Sequence, residues 1–196
     1  MLTKAEKTKQ FILETASPLY NEKGISGVSI DDVLEATKLT KGCLYGHFNG
    51  KEDLSEQVVD YSLKKITERV ASTVSKGKTA RDKIFLYLDF YKNPIDTYIA
   101  GGCPIFNTAV EADDNFPSIK RKVAAVLNAG QIALSNVLEE GKINGEFSEN
   151  LNAEVFAFKM FSAIEGGIVL SRTMGSRKLM LELIKDLKKE LEQYML

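Results

Sequence analysis

The sequence predicts an all-α protein, and three observations carry that prediction. Prolines number only four in 196 residues: Pro18, Pro94, Pro104 and Pro117. The long stretches between them repeat apolar residues at helical spacing. No alternation of apolar and polar residues persists long enough for a half-buried strand.

Composition sets the outer bounds. Hydrophobic residues make up 44% and charged residues 27%, the range of a globular domain. A chain this long buries a core without metal or disulfide staples. Lys plus Arg is 26 and Asp plus Glu is 27, for a net charge of −1, so any nucleic-acid contact has to come from a local patch. Cys43 and Cys103 form neither a disulfide framework nor a zinc spacing. The single histidine, His47, argues against a multi-histidine metal site, and no cofactor is expected. Met1-Leu2-Thr3-Lys4-Ala5-Glu6-Lys7 lacks the apolar stretch of a signal peptide, and no apolar run is long enough for a membrane helix. The expected compartment is the cytoplasm.

Local signals place each element in turn. The first helix spans about 4–23, with Phe11, Ile12, Thr15, Ala16, Leu19 and Tyr20 on one face and Gly24 as its C-cap. Pro18 lies inside it and is expected to kink the last turn, at up to about 3 kcal/mol. Ser29 caps a short second helix, whose Asp31 and Asp32 suit the positive helix end. Lys38-Leu39-Thr40 forms a turn, and a third helix runs from Lys41 to about His47 with Thr40 as its cap. A fourth helix spans about 51–73. Five more are expected over 80–92, 104–112, 118–141, 152–174 and 177–194. Polar Ser75-Lys76-Gly77-Lys78 marks a boundary.

Two short helices joined by a tight turn make a helix-turn-helix, with Ile30, Val33, Ala36, Leu39, Leu44 and Phe48 as their contact residues. No acid occurs between Ala36 and Gly50, while Lys38, Lys41, His47 and Lys51 lie in or beside that window. Such a patch suits phosphates, and the third helix suits the major groove. The plainer alternative is a solvated lysine-bearing turn. Gly42 and Gly46 weigh against it, since each costs about 1 kcal/mol in a helix and a helix lying close to DNA has a use for them.

The chain from 5 to 54 resembles the DNA-binding domain of the TetR/AcrR family of bacterial transcriptional regulators. The resemblance rests on Ile12, Ala16, Leu19-Tyr20 and Gly24, then Ser29-Ile30-Asp31-Asp32-Val33 and Ala36. It continues through Leu39-Thr40-Lys41-Gly42-Cys43-Leu44-Tyr45-Gly46-His47-Phe48 and Lys51-Glu52-Asp53-Leu54. It implies an N-terminal three-helix helix-turn-helix domain (1–50), a connecting helix (51–74) and a C-terminal helical dimerisation and effector-binding domain (75–196). The implied protein is no enzyme. It is a homodimeric repressor that a small effector releases from a palindromic operator.

Tyr45, His47 and Lys51 resemble the family's phosphate-contacting residues, although Tyr45 could be partly core. Thr40, Lys41, Gly42 and Cys43 face the groove, with Lys41 reading guanine O6/N7 or else holding a phosphate. Lys38 and Ser29 join the DNA-binding set, Ser29 having a helix cap as its alternative role. The sequence departs from the family at Lys38, where glycine is usual, at Leu34, at Cys43 and at Pro18. A left-handed Lys38 would cost roughly 1–2 kcal/mol.

Farther on, the helix over 152–174 is apolar nearly all round, and the last helix repeats apolar residues at three- and four-residue steps. Together they resemble the family's dimer interface, assigned to Ile164, Gly167, Ile168, Leu183, Leu187 and Leu191, with an ordinary monomeric core as the alternative. Phe85, Tyr91, Tyr98, Phe106, Cys103 and Met160 are candidates for an effector pocket suited to a small apolar or aromatic molecule. Cys103 precedes Pro104 at a helix start, where amide dipoles favour thiolate, and Gly101-Gly102 are expected to leave it open. That gives an alternative effector, an electrophile or oxidant, with Cys103 reacting faster than Cys43; the opposite reading is a small buried cysteine. Two rivals remain, an enzyme built on Cys103 or the Glu111-Asp113-Asp114 acids and a helical binding protein that has lost DNA. No base accompanies Cys103, and the intact Lys41, Tyr45, His47 and Lys51 set argues against the second.

Overall fold

The computed structural model describes residues 2–196, and among them there are nine α-helices. These are α1 (Lys4–Gly27), α2 (Ile30–Thr37), α3 (Lys41–Tyr45), α4 (Lys51–Val74), α5 (Ala80–Phe90), α6 (Pro104–Asn115), α7 (Pro117–Ile143), α8 (Ala153–Met174) and α9 (Lys178–Glu192). The expected all-α class and each expected helix are present. Outside the helices, Phe147 and Met195 make an isolated antiparallel bridge.

Local chemistry explains the helix starts. Thr3 with Glu6, and Ser29 with Asp32, each form a reciprocal capping box. Thr40, Thr79 and Asn152 accept from the amides of Cys43, Asp82 and Val155. Pro18 sits within α1, but helical dihedrals fail elsewhere, at Gly24 (φ 79°, ψ 167°). The kink thus belongs to the glycine, which reaches positive φ without a steric penalty. A further helical turn, 25–27, comes after it.

Lys38 ends α2 in the left-handed region (φ 57°, ψ 24°), and its amide donates to the Leu34 carbonyl at 2.8 Å. A Cβ is costly in that conformation. Lys38→Gly should therefore raise stability by about 1 kcal/mol, read as a higher melting temperature of the free protein. An unchanged or lower value would show that the lysine is not strained there.

The chain divides into two compact units, 1–66 with 98–124 and 67–97 with 125–196. This differs from the boundary expected at 75–78. The first unit ends inside α4, and α6 returns to it. The reason lies in long-range packing, since α6 lies against α1. The first unit closes on Ile12, Ala16, Val33, Leu44, Phe48, Leu54 and Val58. Two buried hydroxyl pairs tie α1 to α4, Ser17 with Ser62 at 2.7 Å and Tyr20 with Ser55 at 3.0 Å.

The second unit packs α9 against both α8 and α5. Its core holds Ile84, Leu88, Leu138, Met160, Ile164, Met180, Ile184 and Leu191. The Glu146 carboxylate accepts from the Ala80 and Arg81 amides at 3.0 and 3.1 Å, satisfying free donors at the start of α5.

Candidate nucleic-acid interface

Helix α3 divides its side chains between core and surface by simple periodicity. Leu44 and Phe48 are buried and anchor it. Lys41, Gly42 and Tyr45 lie on the outer face at one-turn spacing and are exposed. Tyr45 is 44% exposed, so its ring stands out from the core. Cys43 and His47, also one turn apart, flank that face half-buried. A Cβ on Gly42 would meet nothing within 4 Å, so no packing demand of the chain itself requires glycine there.

The turn and its neighbours supply the rest. Thr40 and Ser29 are exposed, but both hydroxyls already serve as caps. The Ser29 hydroxyl donates to Asp32 at 2.6 Å. Asp32 also receives the Lys23 ammonium at 2.6 Å, and this bond, followed by those from Ser29, holds its carboxyl far below the usual carboxylate range. Asp32 therefore stays ionised and pairs with Lys23 at the edge of the basic face. Lys51 opens α4, and its amino group lies 3.5 Å from the Ser26 carbonyl. Asp53 accepts the Asn49 amide at 2.8 Å and the Gln57 amide group at 2.6 Å, which fixes the turn between α3 and α4. Those bonds, the Asn49 one foremost, lower its pKa.

One basic residue escaped the sequence reading. The Lys9 amino group stands 5.5 Å from the centroid of the Phe48 ring. Lys9 lies outside the acid-free window, so charge counting there misses it. Its signal is the helical step from Lys9 to buried Ile12 and Ala16, which turns it toward the core side of α1.

The expected effector residues are divided between the two units. Phe85, Tyr91 and Met160 belong to the second unit, whereas Tyr98, Cys103 and Phe106 belong to the first. Met160 is wholly buried and Tyr91 nearly so, in edge contact with Tyr87 and Phe90. The Phe85 ring has Arg81 at 4.2 Å and Lys188 at 4.6 Å from its centroid, so cations already occupy its surroundings. Tyr98 is exposed. A cavity of about 410 Å³ does lie within the first unit, between the end of α1, α4 and α6. Of the six candidates, only Phe106 lines it.

Cys103 takes the small, buried form of its two readings. It is 4% exposed. Gly101, at φ 104°, does not open space around it; a Cβ there would sit 2.8 Å from the Asn21 backbone. The glycine serves close packing on α1. Cys43 should therefore label faster than Cys103 in the native protein, measured on the Cys103→Ser and Cys43→Ser variants. Faster labelling of Cys103 would restore the thiol-sensor reading.

Most of the expected interface residues face their own chain, and Leu183 is half-buried. Ile164, Ile168, Leu187 and Leu191 are buried within the single chain, because their side of α8 and α9 is where these two helices pack on each other. Gly167 permits close approach, but to its own chain: a Cβ would lie 2.6 Å from the Met180 sulfur and 3.0 Å from Leu183 Cδ2. The exposed apolar residues of α8 are Val155, Phe158, Val169, Leu170 and Met174.

Residues 12–58 match the family model described as bacterial regulatory proteins, tetR family, and residues 80–187 match the tetracyclin repressor-like C-terminal domain. A TetR transcriptional regulator from Chloroflexus aurantiacus superposes with a TM-score of 0.93 at 30% identity, covering 99% of this chain and 98% of that one. A TetR-family regulator from Cytophaga hutchinsonii superposes with a TM-score of 0.91 at 29% identity, covering 100% and 98%. The HTH-type transcriptional regulator TtgR of Pseudomonas putida is 26% identical over 171 residues, 83% of this chain and 79% of its own length.

Proposed function

Since the chain belongs to the TetR family of bacterial transcriptional regulators, we propose that it acts as a cytoplasmic homodimer on a palindromic operator and leaves that operator when a small molecule binds. The observation that carries this reading is the outer face of α3. Lys41, Gly42 and Tyr45 are exposed together on a helix that Leu44 and Phe48 anchor. Lys41 reads a base edge, and Gly42 allows the helix to lie against the groove. Tyr45, His47 and Lys51 hold phosphates, with Lys9 and Lys38 adding charge at the rim. Thr40 and Ser29 contribute by fixing the starts of α3 and α2.

A dimer is needed because one short helix reads too few base pairs. Two copies reach successive major grooves when their α3 helices lie about 34–36 Å apart. The proposed contact between copies is the outer stripe of α8, Val155, Phe158, Val169 and Leu170. Exposed Ser162 and Gly166 lie along it, and a Cβ on Gly166 would meet nothing within 4 Å. Contiguous exposed apolar surface of this kind marks an interaction face. The effector is a small molecule held without a covalent bond, a reading that the burial of Cys103 favours over an electrophile or oxidant.

Selection of bound duplexes from a random pool tests the proposal. The expected product is a two-fold symmetric site, bound by a dimer and lost steeply as salt rises. Equal recovery of all sequences would remove the operator-binding reading.

A further inference from the structure

By sequence α6 lies far from the helix-turn-helix, yet it packs on α1 within the same unit. The contact is a set of matched polar groups. Glu111 on α6 accepts the Ile25 amide at 2.6 Å and the Ser26 amide at 2.8 Å, one on each carboxylate oxygen. Those amides begin the turn after the Gly24 break, where a helix has no partners of its own for its first donors. A Cβ on Gly24 would lie 2.8 Å from a Glu111 oxygen, so bend and carboxylate fit one another.

One helical turn earlier, Asn107 makes the second contact. Its amide nitrogen donates to the Asn21 carbonyl at 3.1 Å, the Asn21 side-chain oxygen at 2.9 Å and the Gly101 carbonyl at 3.0 Å. Asn21 donates in return to the Ala100 carbonyl at 2.7 Å and the Gly102 carbonyl at 3.1 Å. The last part of α1 is thus held at two points one turn apart.

The held segment leads straight into the DNA-binding face. Ser26, whose amide Glu111 takes, offers its carbonyl to the Lys51 amino group. Val28 and Ser29 then connect it directly to α2. The core beneath α2 and α3 is built from Ile12, Ala16, Val33, Leu44 and Phe48, none of which α6 supplies. We propose that α6 sets the pose of the helix-turn-helix for DNA, with Glu111 and Asn107 as positioning residues that touch no nucleotide. This inference rests on the operator-binding reading above.

The test uses the full-length protein and its selected operator, with affinity for operator and for unrelated duplex measured side by side. Glu111→Ala should lower operator affinity at least tenfold while affinity for unrelated duplex and the salt slope stay as in the wild type, because no phosphate ligand is lost. Asn107→Ala should move the same ratio in the same direction. Asp114→Asn removes the same charge from an exposed site on the same helix and should change neither. Simple loss of folded protein lowers both affinities together and leaves their ratio alone. A specific-to-unrelated ratio unchanged in Glu111→Ala overturns the proposal. Should that variant fail to fold, Glu111→Gln retains one acceptor oxygen and should give a smaller fall in the ratio, and an unchanged ratio there overturns it equally. Absence of operator preference in the wild type would instead overturn the operator-binding reading, and this inference with it.

Discussion

Leu187→Glu will prevent the chain from folding, whereas Phe158→Glu will leave it folded and monomeric. Leu187 is 3% exposed, in the face of α9 that meets its own core. Removing a buried leucine costs about 2–5 kcal/mol. A buried, unpaired carboxylate adds several kcal/mol or shifts its pKa to stay neutral. The sum approaches the whole stability of an ordinary domain, about 5–15 kcal/mol. Phe158 is 64% exposed, so a charge there disturbs the single chain by roughly 0.5 kcal/mol or less. In a dimer built on the outer stripe of α8, that same charge would be buried against an apolar surface. Circular dichroism and sedimentation velocity separate the cases. A Phe158→Glu protein that stays dimeric places the interface elsewhere. A cooperatively folded Leu187→Glu protein of wild-type melting temperature would contradict the packing of α9.

Lys51→Ala and Lys41→Ala should weaken DNA binding in two different ways. The Lys51 amino group rests near a neutral carbonyl, so a phosphate can take it without breaking an ion pair. Its removal should weaken all duplexes about equally and make the log–log salt slope shallower by about 0.9 for each subunit, about 1.8 for the dimer. Lys41 stands on the exposed face of α3. If it reads guanine, its loss relaxes one base pair per half-site by about 1–3 kcal/mol, a factor of roughly 5 to 150. Competition between single-base operator variants, repeated over a salt series, distinguishes the roles. A Lys41→Ala protein with unchanged base preference would make Lys41 a phosphate ligand like Lys51.

The recognition helices were legible because their determinants are local. Thr40 and Ser29 cap the helices they were expected to cap, and Lys38 is left-handed at the end of α2. Leu44 and Phe48 fall inside, Lys41 and Tyr45 outside, as a period of 3.6 residues requires. Lys9 was not legible. Only the packing of α1 brings it to Phe48.

The amino-acid sequence alone determined the all-α class, the order of the helices and the exposed face of α3. Each depends on caps, turns and periodicity within a few neighbouring residues. Tertiary structure alone decided which side of α8 meets α9 and which is left outward, that α6 joins the DNA-binding unit, and that Gly101 packs on α1 while Cys103 is buried. A helix apolar on several faces, such as α8, carries no local mark of which face its own chain will cover. That choice depends on contacts between residues far apart in sequence, such as Gly167 with Met180 and Glu111 with Ile25.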